Sequence, residues 1–307
     1  MRKLLIMLMF LNLGLLLFLA GCAHEVDVTR IDPSEMKVIT IEENVKKEVI
    51  EPEIIELKKP KSFHYQLQNT DFDNLLNLDV DIVIIDIDDS EFTKEQIRKL
   101  SENKIILSYL SIGEAEDYRD YWRSNLPFVL EENKNWPGNY NVKYWDSDWQ
   151  QIILEKVTEI IIKGYDGIYL DKIDAYEEFE TDTAKFQMLD FVHQISVHVK
   201  ALNPNALIIG QNALELYDYV KYKNAIDGVG KEDTWFNDNN YQDHVHREKT
   251  LNILDEIKRD NKLIMMIDYP KSSNKILNFY DKCSEKHFMC FVSNRDLGLH
   301  QKKSCQS

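Results

Sequence analysis

The segment GYDGIYLDKIDAYE, residues 164–177, places charged side chains directly behind a short apolar run. Residues 168–170 are typical of a buried strand, and Asp171, Lys172 and Asp174 follow at once. A loop that only turns the chain does not need this density of charge and aromatic surface. The position of this strand end in the fold therefore decides what the segment does.

Seven other short apolar runs divide the chain from residue 61 onward. They are rich in Ile, Val and Leu with little alternation, which indicates strands buried on both faces of a parallel sheet. The eight predicted strands cover residues 63–67, 82–87, 104–110, 167–170, 206–209, 228–229, 262–267 and 288–292.

Amphipathic segments lie between several of these runs. The clearest is Ser147–Lys163, in which Ser147 and Gln150 have the spacing of a capping box. Further helices are predicted over 183–202, 241–259 and 274–284. Eight strands that largely alternate with helices predict an α/β fold, the (β/α)8 TIM barrel. An open doubly wound sheet is the alternative, but no glycine-rich phosphate loop follows the first strand.

The amino-terminal residues have a different character from the rest. Arg2 and Lys3 precede an apolar run that ends in LAGC, residues 19–22, a pattern that resembles a bacterial lipobox. We expect residues 1–21 to be a signal peptide and Cys22 to be acylated, which would anchor the protein in the cell envelope, facing outside the cytoplasm. A single-pass membrane anchor is the alternative.

Residues 22–60 are predicted to be a flexible charged tether. From residue 23 onward this segment has no aromatic side chain and many Glu and Lys residues, so it cannot bury enough apolar surface to fold. Aromatic residues become frequent after it. Residues 61–307 suit one single-core domain, and we expect a monomer.

The chain has a net charge of −16, from 53 acidic and 37 basic residues. This charge disfavours nucleic acid as a partner and favours a neutral or cationic ligand. Cys283, Cys290 and Cys305 remain after Cys22, an odd number that excludes a complete disulfide framework. Cys283 and Cys305 are a conceivable pair, which the sequence does not establish. The cysteine spacing matches no familiar zinc site.

The carboxyl ends of the strands carry most of the polar residues that suit chemistry. In a TIM barrel these ends surround one pocket. The residues at the predicted ends are Asp86, Tyr109, Ser111, Glu114, Asp171, Gln211, Asn212, Lys231, Glu232, Asp268, Tyr269, Asn294 and Arg295.

Carboxylates, amides and aromatic rings together suit a sugar, because rings stack on its faces and polar groups bind its hydroxyls. Glycoside hydrolysis needs two carboxyl groups across the scissile bond. Asp171 and Glu232 follow strands four and six, so both could face one pocket. A structural interpretation remains for each, as a helix cap or a salt bridge to Lys172 or Lys231.

Neither a metal nor a cofactor is expected. The run DIDD at 86–89 could bind a cation, but a helix cap explains it equally well. Among the five tryptophans, Trp149 belongs to a helix face that packs in the core, and Trp235 is the preferred sugar platform. Arg119 is expected to pair with neighbouring carboxylates.

Five segments in order resemble the motifs of glycoside-hydrolase family 114: YLSIGEAEDYRDYW (109–122), YWDSDWQ (144–150), GYDGIYLDKIDAYE (164–177), GQNALEL (210–216) and DGVGKEDTW (227–235). The resemblance covers residues 61 to 295. It implies a TIM barrel that hydrolyses α-1,4 links in a partly deacetylated galactosamine polymer. It further implies Asp171 as nucleophile and Glu232 as acid/base. Sugar subsites would be lined by Tyr109, Glu114, Asp174, Tyr176, Gln211 and Asn212, and Asp86, Trp235, Asp268 and Tyr269 are further candidates for substrate binding.

Two other functions remain open from the sequence. A lipoprotein on the same scaffold could bind a glycan without cutting it. A structural envelope protein would have no well-formed cleft at the carboxyl ends of the strands.

Overall fold

The computed structural model describes residues 59–179, 181–295 and 297. The predicted signal peptide, Cys22, all but the end of the tether, and Cys305 lie outside the described residues. Within the described part of the chain, no helix combines the length and apolar character needed to cross a membrane.

Eight parallel strands form the central sheet, in the order β1-β2-β3-β7-β8-β9-β12-β13. β1 also lies beside β13, so the sheet curls into a nearly closed barrel. In chain order the strands are β1 (Phe63–Tyr65), β2 (Ile82–Asp86), β3 (Ile105–Ser111), β4 (Glu114–Glu116), β5 (Val129–Glu132), β6 (Asn139–Val142), β7 (Gly167–Asp171), β8 (Leu207–Gln211), β9 (Gly228–Glu232), β10 (Phe236–Asn237), β11 (Asn240–Tyr241), β12 (Leu263–Asp268) and β13 (Met289–Val292). The TIM-barrel prediction and all eight predicted strands are confirmed.

Helices follow most of the barrel strands and cover the outside of the sheet. They are α1 (Phe72–Leu76), α2 (Ile87–Ser90), α3 (Lys94–Leu100), α4 (Ser147–Lys163), α5 (Asp182–Leu202), α6 (Val220–Ala225), α7 (His244–Arg259) and α8 (Ser273–Lys286), with 3-10 helices at Ile173–Phe179 and Leu214–Asp218. The four predicted helices are confirmed as α4, α5, α7 and α8. The predicted cap of α4 is corrected by one residue, because the Asp146 side chain, not that of Ser147, accepts the N–H of Asp148.

Two apolar cores hold the barrel together. The outer core lies between sheet and helices and contains Trp149, which is fully buried as predicted. The inner core fills the barrel with side chains such as Tyr65, Tyr109, Tyr169 and Ile267. Each large apolar side chain buried in this way contributes roughly 1.5–3 kcal/mol. The barrel is therefore a packed scaffold whose open end begins where the strands end.

A three-stranded antiparallel sheet, in the order β4-β6-β5, interrupts the barrel between β3 and α4. The sequence analysis did not predict it. Gly138, in the loop before β6, has φ of +90°, and a Cβ there would lie 2.9 Å from Asp117 Oδ1. Trp149 of α4 donates its indole N–H to Ile112 O at 2.9 Å just before the sheet. These contacts fix the small sheet above the barrel mouth.

A disulfide joins Cys283 of α8 to Cys290 of β13. The partner of Cys283 is therefore Cys290 and not Cys305, the pairing that the sequence left open. α8 ends at Lys286, and His287 adopts the left-handed conformation that turns the chain back toward β13. This turn brings the two Cα atoms to 6.2 Å, within the range of a disulfide.

Candidate active site

A cavity of about 760 Å³ lies at the carboxyl ends of the barrel strands. Its lining includes Asp86, Tyr109, Glu114, Asp171, Asp174, Gln211, Asn212, Glu232 and Tyr269 from the predicted set, and also Tyr65, Tyr118, Arg119, Asn133, Trp136, Asn139, Lys172 and Arg295. A volume of this size accommodates a small ligand or part of a polymer. A structural protein without a cleft is therefore excluded.

Asp171 ends β7 and faces the cavity. Tyr109 Oη donates to its Oδ2 at 2.7 Å, and the backbone N–H of Lys172 donates to its Oδ1 at 2.7 Å. Burial, repulsion from Glu232 and repulsion from Asp174 raise the pKa of Asp171 to about 7. The Asp171 carboxyl is therefore held in a fixed position and can carry or release a proton near neutral pH.

Glu232 ends β9, two strands from Asp171 in the barrel order. Its Oε2 accepts hydrogen bonds from Gln211 Nε2 at 2.7 Å and Asn212 Nδ2 at 3.1 Å. Its Oε1 accepts the hydroxyl proton of Tyr269. Three neutral donors thus fix both oxygens of Glu232 without an ion pair.

The two amides are oriented by contacts on their other atoms. Tyr65 Oη donates to Gln211 Oε1 at 3.2 Å, so the Nε2 group of Gln211 faces Glu232. Asn212 Oδ1 accepts from the backbone N–H of Glu232 and from Lys231 Nζ, both at 3.2 Å. This network makes the position of Glu232 depend on β8 and on the barrel interior.

Aromatic side chains form the floor beneath the two carboxyls. Burial raises the pKa of Tyr65, Tyr109, Tyr169 and Tyr269 well above the usual value, so their hydroxyls stay protonated. Those of Tyr65, Tyr109 and Tyr269 donate to Gln211, Asp171 and Glu232. Tyr169 needs Gly230 opposite it, because a Cβ on Gly230 would lie 1.9 Å from the Tyr169 hydroxyl oxygen. Gly230 in β9, which has no side chain, therefore leaves space for the Tyr169 ring beneath the two carboxyls.

Glu114 connects the three-stranded sheet to the residue after Asp171. Lys172 Nζ lies 2.9 Å from Glu114 Oε1, which also accepts from Asn133 Nδ2 at 2.7 Å. Burial disfavours the charge on Lys172, but the Glu114 carboxylate outweighs it and raises the lysine pKa. Lys172 itself has a positive φ of 59°. The contact thus fixes the chain immediately beside Asp171.

Asp86 lines the cavity but does not offer a free carboxylate. Both of its oxygens accept from the Arg119 guanidinium at 2.7 Å, and Arg119 also pairs with Asp88 and Glu116. The prediction that Arg119 pairs with neighbouring carboxylates is confirmed, and substrate binding by Asp86 stays a prediction. Within the described residues, no group of three or more acidic, His or Cys side chains is arranged to hold a metal ion.

Asp268 is fully buried behind the cavity wall, which corrects its predicted contact with substrate. Its carboxylate accepts the backbone N–H groups of Thr234, Trp235 and Phe236 at 2.8–2.9 Å. Burial raises the pKa of Asp268 to about 7. The side chain stabilises the loop after β9 instead of facing the cavity.

Tyr176 and Trp235 also lie away from the main cavity. Tyr176 is 4% exposed and lines a separate, smaller cavity with Glu177 and Glu215. Trp235 is 3% exposed and packs edge-on against Phe279 in the outer core. The predictions that these two residues contact substrate are corrected, because packing between elements buries both rings.

Trp136 is the tryptophan that lines the cavity, and sequence reasoning did not single it out. It lies between β5 and β6 and is 45% exposed. Tyr118 and Asn133 reach the cavity from the same inserted region. The Pro137–Gly138 pair is the signal that could have marked a turn there.

Comparisons with known proteins agree with this geometry. Residues 46–307 match the model of glycoside-hydrolase family GH114. An uncharacterized protein of Methanocaldococcus jannaschii is 31% identical over 264 residues, which cover 77% of this chain and 76% of that protein.

Two solved structures share the fold. The glycoside hydrolase domain of PelA from Pseudomonas aeruginosa has a TM-score of 0.65 at 15% identity, over 78% of this chain and 97% of that domain. Ega3 of Aspergillus fumigatus, solved in complex with galactosamine, has a TM-score of 0.62 at 17% identity, over 78% of this chain and 93% of that one. At this identity the likeness supports the TIM barrel alone. Because the family model spans most of the sequence, the chain belongs to glycoside-hydrolase family GH114 and is a glycosidase.

Proposed function

We propose that this glycosidase hydrolyses α-1,4 linkages in a galactosamine-containing polysaccharide, and that lipidated Cys22 anchors it outside the cytoplasm. The observation that carries the substrate proposal is the pair Asp171 and Glu232 in one cavity whose lining has eight acidic side chains and three cationic ones. A polymer of amino sugars is cationic and is attracted to such a cavity. The galactosamine bound in the Ega3 structure is consistent with this substrate class.

In the proposed mechanism, the Asp171 carboxylate attacks the anomeric carbon and forms a glycosyl ester. Glu232 donates a proton to the leaving oxygen as the bond between that oxygen and the anomeric carbon breaks. Glu232 then removes a proton from water, which attacks the anomeric carbon and releases Asp171. One water is consumed for each bond cleaved.

The resting hydrogen bonds suggest how the protons are arranged for this sequence. In this assignment Glu232 must carry the proton; its Oε1 contacts the Tyr269 hydroxyl, whose oxygen can accept as well as donate. Asp171 must be ionised to act as nucleophile. A cationic sugar in the cavity favours that ionised form, because a nearby positive charge lowers a carboxyl pKa.

The first test is release of reducing ends from partly deacetylated α-1,4-galactosamine polymer. Wild type is compared with Asp171→Asn and Glu232→Gln, and thermal unfolding checks that each variant is folded. We expect release by wild type alone. A wild type that binds the polymer without cutting it would instead indicate a glycan-binding protein, and one that does neither would exclude this substrate.

A further inference from the structure

Arg295 follows β13 and lines the cavity beside Tyr269. Its guanidinium carbon lies 4.4 Å from the centre of the Tyr269 ring, a distance at which a cation is attracted to the face of the ring. The hydroxyl of the same ring donates to Glu232 Oε1. Two successive contacts therefore join the Arg295 cation to the carboxyl that we assign as the acid/base.

The loop after β9 holds the guanidinium in this position. Arg295 Nη2 donates to both carboxylate oxygens of Asp233, at 2.9 and 3.1 Å, and Arg295 Nε donates to Asp238 Oδ1 at 2.9 Å. Asn237 Oδ1 accepts a further hydrogen bond from Nη2 at 3.2 Å. These hydrogen bonds, made by two nitrogens of one rigid plane, restrict the guanidinium to one orientation over the ring.

The same contacts neutralise the charge of Arg295. Asp233 and Asp238 both form ion pairs with it, so the guanidinium does not present a free positive charge to a cationic polymer. An anionic group of a ligand would have to displace one of these carboxylates to bind it. Arg295 is therefore better suited to support a neighbouring side chain than to bind substrate.

The two reacting carboxyls differ in this support. Tyr109 donates to Asp171 as Tyr269 donates to Glu232, but within the described part of the chain no cation lies over the Tyr109 ring. The plane of a tyrosine ring sets the place of its hydroxyl oxygen. A cation attracted to one face of the Tyr269 ring thus fixes the group that Glu232 Oε1 contacts, and it does so on the acid/base side alone.

We propose that Arg295 is a positioning residue for the acid/base: it fixes the Tyr269 ring, and the Tyr269 hydroxyl then holds Glu232 at the leaving oxygen. This inference rests on the proposed function, in which Glu232 donates a proton to that oxygen. Proton donation requires the carboxyl within hydrogen-bond reach of the oxygen. A carboxyl that turns away therefore slows departure of a leaving group that needs the proton.

The choice of leaving group distinguishes this role from a structural one. Two aryl glycosides of one α-1,4-galactosamine oligomer are compared: a methoxyphenyl glycoside, which needs proton donation, and a dinitrophenyl glycoside, whose leaving group departs without it. We expect Arg295→Met to lower kcat/KM for the first about 10-fold and to leave kcat/KM for the second within about 2-fold of wild type. General damage to the cavity would lower both equally, and that result would overturn the proposal.

A double-mutant cycle tests the route through Tyr269. In a Tyr269→Phe background, Arg295→Met should lower kcat/KM for the methoxyphenyl glycoside by no more than about 2-fold, because the hydroxyl that Arg295 positions is already absent. Full additivity of the two substitutions would overturn the proposal. Lys275→Met is the matched control: it removes a cation over the exposed Tyr241 ring, in the hairpin β10–β11, and should leave kcat/KM for both glycosides unchanged.

Two further measures keep every outcome decisive. Thermal unfolding checks each variant, and if Arg295→Met does not fold, Arg295→Gln replaces it in every comparison with the same expected results, since it removes the cation and keeps a hydrogen-bond donor for Asp233. If wild type cuts neither glycoside, the proposed function fails, and a crystal structure of the variant decides separately. A Tyr269 hydroxyl that has left Glu232 supports the positioning role, and one that stays in contact overturns it.

Discussion

Asp171 and Asp268 occupy equivalent positions at the ends of β7 and β12, and the pKa of each is raised to about 7, chiefly by burial. Only Asp171 faces the cavity. Asp268 is covered by the loop after β9, whose three N–H groups it accepts. The difference shows that a strand-end aspartate is open to a ligand only where the following loops leave it uncovered.

Removing the two carboxylates should separate catalysis from stability. We expect Asp171→Ala to lower kcat by about 10³-fold or more, because in the proposed mechanism Asp171 forms the glycosyl ester. Asp268→Ala should leave kcat within about 10-fold of wild type when assayed well below its unfolding temperature, since it does not contact the cavity. Similar losses of kcat in both variants would remove the distinction between them.

Azide sharpens this prediction for Asp171. With the nucleophile missing, azide can attack the α-linked sugar from the opposite face, so Asp171→Gly with azide should recover activity and yield a β-glycosyl azide. Glu232→Ala with azide should yield the α product. The reverse pattern would exchange the roles of the two carboxyl groups.

Asp268→Ala should produce the largest loss of stability. It leaves three backbone N–H groups without their acceptor, each costing roughly 1–3 kcal/mol if it stays dry. We expect some access to water and a total near 3 kcal/mol, which lowers Tm by about 6–12 °C for a domain of this size. Calorimetry of Asp268→Ala beside Asp171→Ala measures this, and an unchanged Tm for Asp268→Ala would show that the loop does not depend on it.

The pH dependence of stability should report the raised pKa of Asp171. A folded-state pKa of about 7, above the usual 3.8, means that its stabilising contribution is full below about pH 4 and is lost as pH rises through 7. The rise corresponds to roughly 4 kcal/mol at most, and we expect about half of that because the group faces water in the cavity. Asp171→Asn should therefore unfold at a higher temperature than wild type at pH 8, with the gap narrowing as pH falls and closing only near pH 4. A gap that does not change with pH would contradict the raised value.

The difference between the barrel strands and the loops that cover their ends also explains which features could be predicted from the sequence. Parallel barrel strands are buried on both faces, so their apolar runs are visible, and their ends identified Asp171, Gln211, Asn212, Glu232 and Tyr269 correctly as cavity residues. The roles of these residues stay predictions.

The predictions that were wrong or missing have a common cause: they depend on loops that fold back over the ends of the barrel strands. Trp235 and Asp268 were misplaced because burial at a strand end depends on the chain that covers it. The three-stranded sheet was missed because its strands are short and none has a continuous apolar run; β4 is buried but reads Glu-Ala-Glu, and β5 and β6 are only partly buried. Contacts distant in sequence, such as that of Lys172 with Glu114, decide its position.

The smallest expected effect is that of a substitution in the three-stranded sheet, at Trp136. Trp136 is half-exposed at the cavity, and a sugar ring stacked on it contributes about 0.5–1.5 kcal/mol. We expect Trp136→Ala to raise KM for long polymer by about 3- to 10-fold with kcat unchanged. Tyr241→Ala removes an exposed ring that does not line the cavity and serves as the control.

The alternative result for Trp136→Ala would also be informative. The sheet contacts Lys172 through Glu114, which also accepts from Asn133, and Lys172 supplies a backbone N–H that holds Asp171. If kcat falls and KM does not change, the sheet acts by positioning Asp171 instead of by binding sugar. Glu114→Gln separates the two effects, because it weakens the link to Lys172 and leaves the Trp136 ring in place.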